Sequence, residues 1–443
     1  MGSPMASTNA MCSGRRAVVI LFSISAILLV AGVLFSMSMS QESWDRLEDH
    51  LGSTPNNQTS TSPTEIYNCA DPYRRPGYLY MDHHERKNAR WIPYTDDFLD
   101  ADLPSAAEYP RPAGQQVVFN ISEVEKTYTE SKSTPPMRML AVIEEDQRRR
   151  ESVSVAFKDQ TVEDFVGMKD EGHLGWLWGR RVLILGDSVD RFMIQFFCEE
   201  LGRQMHQPAP HTTATCVIPT FNLTLIHWHH AGSWTYRPDW WWMDDMKEIA
   251  FEERWTKMWE PMVDTTVRGP TGKPDLILWQ SGLWDQRALW ECAEANYDEK
   301  DPMAQRERHL EWDEIRFIAT RVRKLVRLLT DQFGPDVPTM FRAITVHQES
   351  NARDANIYEL ERLSRAIAEK AGHEMFEWAR ILTAFSMLYK DQTHPGKGTA
   401  SWLWANMILD YVARSAGSGD EDRAPYFDSW DACHDQLLGW GGR

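Results

Sequence analysis

At 443 residues the chain can hold one large α/β domain with an appendage, or two or three domains, and its 42% hydrophobic fraction is that of a globular protein. The formal charge of -18 argues against nucleic acid as a partner. That charge fits a soluble secretory-pathway domain with a neutral substrate and decides nothing further, while 20 tryptophans give weight to a carbohydrate surface, since exposed indoles stack on sugar rings.

Residues 17–37 are apolar apart from scattered serines. At ~1.5 Å per residue they reach ~31 Å, a full bilayer core. Arg15 and Arg16 precede this run, and Glu42, Asp45 and Glu48 follow it. The positive-inside rule therefore places residues 1–16 in the cytosol and the remainder across the membrane, as a single-pass type II signal anchor. The rival reading is a cleaved signal peptide, whose apolar core runs only about 7–15 residues. Residues 38–66 are rich in Ser, Thr, Asn, Gln and Pro, bury no core and read as a flexible stem. An anchor followed by a stem is the layout of many Golgi enzymes. Sequons at Asn57, Asn120 and Asn222 all fall on the lumenal side. So do Cys69, Cys198, Cys216, Cys292 and Cys433, where disulfides persist, while Cys12 is cytosolic or juxtamembrane. The lumenal cysteines are odd in number, their pairing is not readable from spacing, and none of their spacings suits a zinc site.

Residues 67–161 form an irregular, aromatic accessory segment, helical or mixed from 140, with a charged run over 144–151 that reads as a solvated helix face. The main domain spans 162–415, and 416–443 is a C-terminal tail. The predicted order is a strand over 181–185, a helix over 189–201, and strands over 223–228 and 275–279. There follow a helix over 312–333, whose apolar residues recur at helical period, a strand over 339–346, a helix over 356–371, a short strand near 375–378, and a last helix over 399–413. Strands alternating with helices argue a doubly wound α/β sheet. Such sheets bind ligands outside the carboxyl ends of their strands, and Ser188, Gly282 and His347 fall just past such ends.

Two short pieces carry chemistry. The first strand ends in Gly186-Asp187-Ser188, which sets a serine at a helix N-terminus, where outward N–H groups favour an oxyanion. The second piece is Asp391-Gln392-Thr393-His394-Pro395. A serine needs a base, and the base needs an orienting acid. Three residues of separation let Asp391 meet Nδ1 of His394 and leave Nε2 for Ser188. The alternative is that Asp187 or Ser188 merely caps the helix and Asp391 a turn. His227 and His229 alternate on one strand face. Substrate lining or packing suits them better than a metal, and no metal or cofactor is expected. Trp240, Trp241 and Trp242 offer either a sugar platform or packing.

Four motifs give the chain a family resemblance: Gly186-Asp187-Ser188-Val189-Asp190-Arg191, Gln280-Ser281-Gly282-Leu283-Trp284-Asp285, Phe341-Arg342-Ala343-Ile344-Thr345-Val346-His347 and Asp391-Gln392-Thr393-His394-Pro395. Over residues 162–413 it resembles the PC-esterase branch of the SGNH/GDSL superfamily, which includes trichome-birefringence-like polysaccharide O-acetyltransferases. The resemblance implies a flavodoxin-like α/β/α sandwich with a central parallel sheet, Ser188 as nucleophile, His394 as base and Asp391 as its orienter. It also implies an oxyanion hole made by the Ser188 N–H, a glycine N–H, for which Gly232 is the candidate, and an asparagine. Trp284 stands where that asparagine is expected, so Gln280, Ser281 or a backbone N–H is the candidate replacement. Arg191 and Arg342 match family positions; either they pair with carboxylates or they shape a substrate site with Trp284 and His347.

The expected function is that of a membrane-anchored lumenal acyl-ester enzyme acting on O-acyl groups of glycans, as O-acetyltransferase or esterase, with an acyl donor the residues do not name. The alternative is a catalytically inactive glycan-binding or scaffolding protein of the same fold.

Overall fold

The computed structural model describes residues 71–81, 87, 89–93, 139–153, 160–171, 174–234, 248–270, 272–295, 309–346 and 355–415. The chain divides into two compact units, residues 1–62 with 290–306 and residues 63–289 with 307–443. Of the first unit only 290–295 are described, and they continue a helix of the second. The expected tail, anchor, stem and C-terminal tail lie outside the described residues, as do Asn57, Asn120, His347 and Trp240 to Trp242. Among the described residues no helix is long and apolar enough to cross a membrane.

Among the described residues eight strands form: β1 (Gly77–Tyr80), β2 (Arg90–Pro93), β3 (Arg181–Gly186), β4 (Ala214–Ile218), β5 (Leu223–His229), β6 (Leu276–Trp279), β7 (Thr339–Arg342) and β8 (Glu374–Phe376). β1 and β2 pair antiparallel. The other six make one sheet in the order β4-β5-β3-β6-β7-β8, parallel throughout except for β4, which runs antiparallel to β5. The central strands are buried on both faces, so Val182 to Leu185 and Leu276 to Trp279 read as continuous apolar runs.

Among the described residues there are six longer helices: α1 (Met139–Val153), α2 (Ser188–Glu200), α3 (Leu283–Ala295), α4 (Trp312–Phe333), α5 (Ala355–Lys370) and α6 (Thr399–Ser415). From β3 the chain crosses through α2 towards β5. From β6 it moves the other way, through α4 to β7 and α5 to β8. Right-handed crossovers in opposite directions put these helices on opposite faces of the sheet. α6 returns to pack on α1 and α2. The parallel strands thus follow the doubly wound order of flavodoxin-type sheets, and the order reverses between β3 and β6. That reversal lies at the carboxyl end of β3, immediately before Asp187.

α4 shows how pattern becomes packing. Ile318, Val322, Leu325, Leu329 and Phe333 recur at helical spacing and are all buried. Glu311 and Glu314 cap its start reciprocally, and Gly334, at φ 94°, ends it.

Three expectations change. The strand expected over 339–346 stops at Arg342, because its neighbour β8 has only three residues to pair with. β4 was not expected: it is a short edge strand with Val217 exposed, and it lacks a continuous apolar run. A disulfide joins Cys216 of β4 to Cys198 of α2, with Cα atoms 5.8 Å apart, and tethers this edge. The charged run 144–151 is not wholly solvated. Arg150 is buried, pairs with Asp146 at 2.7 Å and donates to the carbonyls of Met168 and Glu171. A guanidinium can be buried in a helix face only where carbonyls and a carboxylate replace its water.

Asp71 and Tyr73 are held to α6 by buried polar pairs. The Tyr73 hydroxyl donates to Asp410, and the Tyr411 hydroxyl donates to Asp71 at 2.5 Å. The Tyr73→Phe variant leaves Asp410 buried without this donor. It should lose about 2 kcal/mol of stability, read as a lower urea midpoint at unchanged m-value.

Candidate active site

Asp187 and Ser188 divide two roles that the sequence left open between them. Asp187 is the helix cap: its Oδ1 accepts the Val189 N–H at 2.8 Å. Ser188 is the first residue of α2, and its Oγ lies 2.8 Å from Nε2 of His394. Nδ1 of His394 lies 2.9 and 3.0 Å from the two oxygens of Asp391. Oδ1 of Asp391 also accepts the backbone N–H groups of Thr393 (2.9 Å) and His394 (2.8 Å). Burial alone would raise the Asp391 pKa, but these N–H groups and the imidazole outweigh it and hold the carboxyl below its ordinary value. It therefore stays ionised and fixes the ring with Nδ1–H towards it, leaving Nε2 to face the serine.

The turn carrying Ser188 is set by a buried ion pair. A Cβ on Gly186 would meet Oδ2 of Asp190 at 2.0 Å, so only glycine fits under the first turn of α2. Asp190 in turn receives Arg342 of β7, with Nε–Oδ1 2.6 Å and Nη2–Oδ2 2.8 Å. Arg342 also lies 3.9 Å from Asp187. Burial pushes the Asp190 pKa up; the Arg342 guanidinium opposes it and the Asp187 charge adds to it. On the other side of β3, Nε2 of His227 lies 3.1 Å from both the Gly186 and the Asp187 carbonyls. Arg342 and His227 thus brace the Ser188 turn from its two flanks.

The loops beside Ser188 are organised by Asp285. The His230 N–H donates to Gly186 O at 2.7 Å and the Gln280 N–H to Leu185 O at 3.0 Å, so the loops after β5 and β6 flank the serine. Oδ1 of Asp285 accepts the Ser233 N–H at 2.6 Å, and its Oδ2 accepts the Ser281 hydroxyl. The Ser281 oxygen lies 3.2 Å from both Ser233 Oγ and His230 Nε2. Gly232 has φ +90°, and a Cβ there would meet Asp285 Oδ1 at 2.7 Å. Burial raises the Asp285 pKa to about 6 against the pull of the Ser281 hydroxyl.

Of the remaining candidates, the Ser281 hydroxyl donates a hydrogen bond to Asp285, and Gln280 is buried, its N–H held by the Leu185 carbonyl. Trp284 is half-buried, its indole edge-on to His211 (5.9 Å) and His229 (6.3 Å). Arg191 is half-buried, its guanidinium 4.0 Å from the centre of the Phe192 ring. Asn222 lies at the opposite, amino end of the sheet, in left-handed conformation, and accepts from Arg181 at 3.1 Å. Sequence reasoning gave no role to Asp190, Asp285 or Phe192. The first two stood inside quoted motifs, and a carboxylate within an otherwise buried turn was the available signal.

His227 and His229 share a face, with ring centres 5.8 Å apart. Among the described residues no three His, Cys, Asp or Glu side chains are placed to hold a metal ion. Burial, then the Arg191 charge, lowers the His227 pKa to about 3; burial, then the Arg254 charge, does the same to His230. Burial and the neighbouring His227 push His229 well below its usual value.

No family model matches the chain, and no curated protein matches it. Solved structures that it is similar to include an acetyl xylan esterase, AlAXEase (12% identity, 52% of this chain and 99% of that one, TM-score 0.32). Others are the acetylxylan esterase Axe2 of Geobacillus stearothermophilus (14% identity, 56% and 97%, TM-score 0.30) and a GDSL-like lipase of Parabacteroides merdae (11% identity, 53% and 96%, TM-score 0.30).

Two outcomes follow from this geometry. Arg342→Met should cost about 3–5 kcal/mol, because it leaves the buried Asp190 carboxyl without its partner, and the double variant with Asp190→Leu should recover most of that loss in urea unfolding. The second concerns acid. His227, His229 and His230 are neutral when folded and protonate near pH 6.5 when unfolded, so the unfolded chain binds more protons as pH falls below about 6.5 and stability drops. Asp285 and Asp190 act the other way, since their raised values favour the folded state on acidification. Three groups against two leave a net loss, and His229→Phe should make the fall shallower by about 1.4 kcal/mol per pH unit.

Proposed function

We propose that this chain is a serine acyl-ester enzyme of the SGNH/GDSL type. The observation that carries the reading is the Ser188–His394–Asp391 relay, with Oγ to Nε2 at 2.8 Å and Nδ1 to carboxylate at 2.9 Å, at the carboxyl-end reversal of a doubly wound sheet. Ser188 Oγ attacks the acyl carbonyl carbon while Nε2 of His394 takes its proton. The oxyanion is held by the outward N–H groups of Ser188 and Gly232, the latter on the loop that Asp285 shapes. The C–O bond to the alcohol then breaks, imidazolium returns the proton to the leaving oxygen, and an acyl-Ser188 remains. Water or a sugar hydroxyl attacks this ester, gives its proton to His394, and the proton goes back to Ser188 Oγ.

The finer reading is O-acetyl chemistry on glycans of the secretory pathway. It is supported by the apolar 17–37 run behind Arg15 and Arg16, by the sequons, and by the buried Cys198–Cys216 disulfide, which belongs to an oxidising compartment. Attack by a sugar hydroxyl would make the enzyme a transferase, and attack by water an esterase.

A fluorophosphonate probe should label the purified lumenal domain at Ser188. Ser188→Ala or His394→Ala should lower kcat for a phenyl acetate by about 10⁴-fold or more, and Asp391→Asn by somewhat less. A folded domain that resists the probe would instead be a binding or scaffolding protein. Acetate release measured with and without oligosaccharide acceptors separates transfer from hydrolysis.

A further inference from the structure

Two cations meet on one ring beside the base. Phe192, on the second turn of α2, stands edge-on to His394, with ring centres 5.1 Å apart at 79°. The Arg191 guanidinium carbon lies 4.0 Å from the Phe192 ring centre and the Lys390 Nζ 3.0 Å from it. Neither cation forms an ion pair among the described residues. The neighbouring acids are already engaged: Asp391 with His394, Asp190 with Arg342, and Glu199 with Lys397 at 2.9 Å. Burial lowers the Lys390 pKa, the Asp391 charge opposes it, and the Arg191 charge adds a smaller lowering, so the two cations sense each other. Packing alone is a poor account of this arrangement, because one cation satisfies a ring and a second like charge adds repulsion. An anion between them removes that repulsion.

Their position names the part of the substrate. His394 hands its proton to the leaving oxygen, so groups gathered around the imidazole face the alcohol moiety rather than the acyl group. The chain's net charge of -18 does not oppose this. Its many acids are screened beyond a Debye length of ~8 Å, whereas these two cations lie on the ring that stands against His394.

We propose that Arg191 and Lys390 form a receptor for a carboxylate or similar oxyanion on the alcohol part of the ester, so that the substrate is an acylated acidic glycan or another anionic alcohol. This rests on the ester-enzyme reading above.

The test compares kcat/KM for meta-acetoxybenzoate with that for its neutral counterpart, meta-acetoxybenzamide, in the full lumenal domain. Arg191→Gln and Lys390→Gln should each lower the anionic-to-neutral ratio by roughly fivefold, the size of one exposed ion pair. Arg191→Lys should keep most of the ratio, and added salt should draw the wild-type ratio towards that of the variants. Meta-hydroxybenzoate should also slow fluorophosphonate labelling of Ser188 more than meta-hydroxybenzamide does. If the double Gln variant keeps the wild-type ratio while Ser188 still turns over the neutral ester, the receptor is wrong and the enzyme reading stands. Equal protection by the acid and the amide is a second result against the receptor. If Ser188 neither labels nor turns over either ester, the enzyme reading falls and the receptor with it.

Discussion

The Asp190–Arg342 ion pair is the constraint on which the site depends. It joins the first turn of α2 to β7, across the strand that separates them, and both partners are about 1% exposed. Its carboxylate occupies the space where a side chain on residue 186 would stand, which is why the strand must end in glycine. With Gly186 bare, the chain turns sharply enough to set Asp187 as cap and Ser188 as the first helical residue. Buried ion pairs contribute little net stability, but breaking one is costly, so the pair acts as a lock on geometry more than as a source of stability.

The same logic repeats one loop away. Asp285 holds Ser233 and Ser281 and excludes a side chain from Gly232, as Asp190 does at Gly186. Each flanking loop is thus built from a glycine and a buried carboxylate that lies against it. The neutral histidines between them complete the arrangement, with His227 bracing the Gly186 and Asp187 carbonyls. Trp284 packs edge-on against His211 and His229, and Asp285 next to it holds Ser233 and Ser281.

Much of the sheet could be read along the chain because buried parallel strands are continuous apolar runs. β3 and β6 were expected within a residue of where they lie, and α4 at its observed bounds. β4 escaped because it is only five residues long, with Thr215 interrupting its apolar positions, and it is held as a strand by pairing with β5. β7 was overextended because the apolar run 343–346 looks like strand, although β8 is too short to pair with it. Arg150 was misassigned to solvent because charge alone does not reveal carbonyls supplied from Met168 and Glu171.

The local sequence was enough for what depends on near neighbours: the period of the helices, the serine at the end of a strand, and the reach from Asp391 to His394, three residues apart. Tertiary structure alone decided what depends on distant ones. It brought His394 to Ser188 across 206 residues and Arg342 to Asp190 across 152, and it left Arg191 and Lys390 together on Phe192. Such pairs are formed by sheet order and crossover direction, and neither is written in the composition of any single segment.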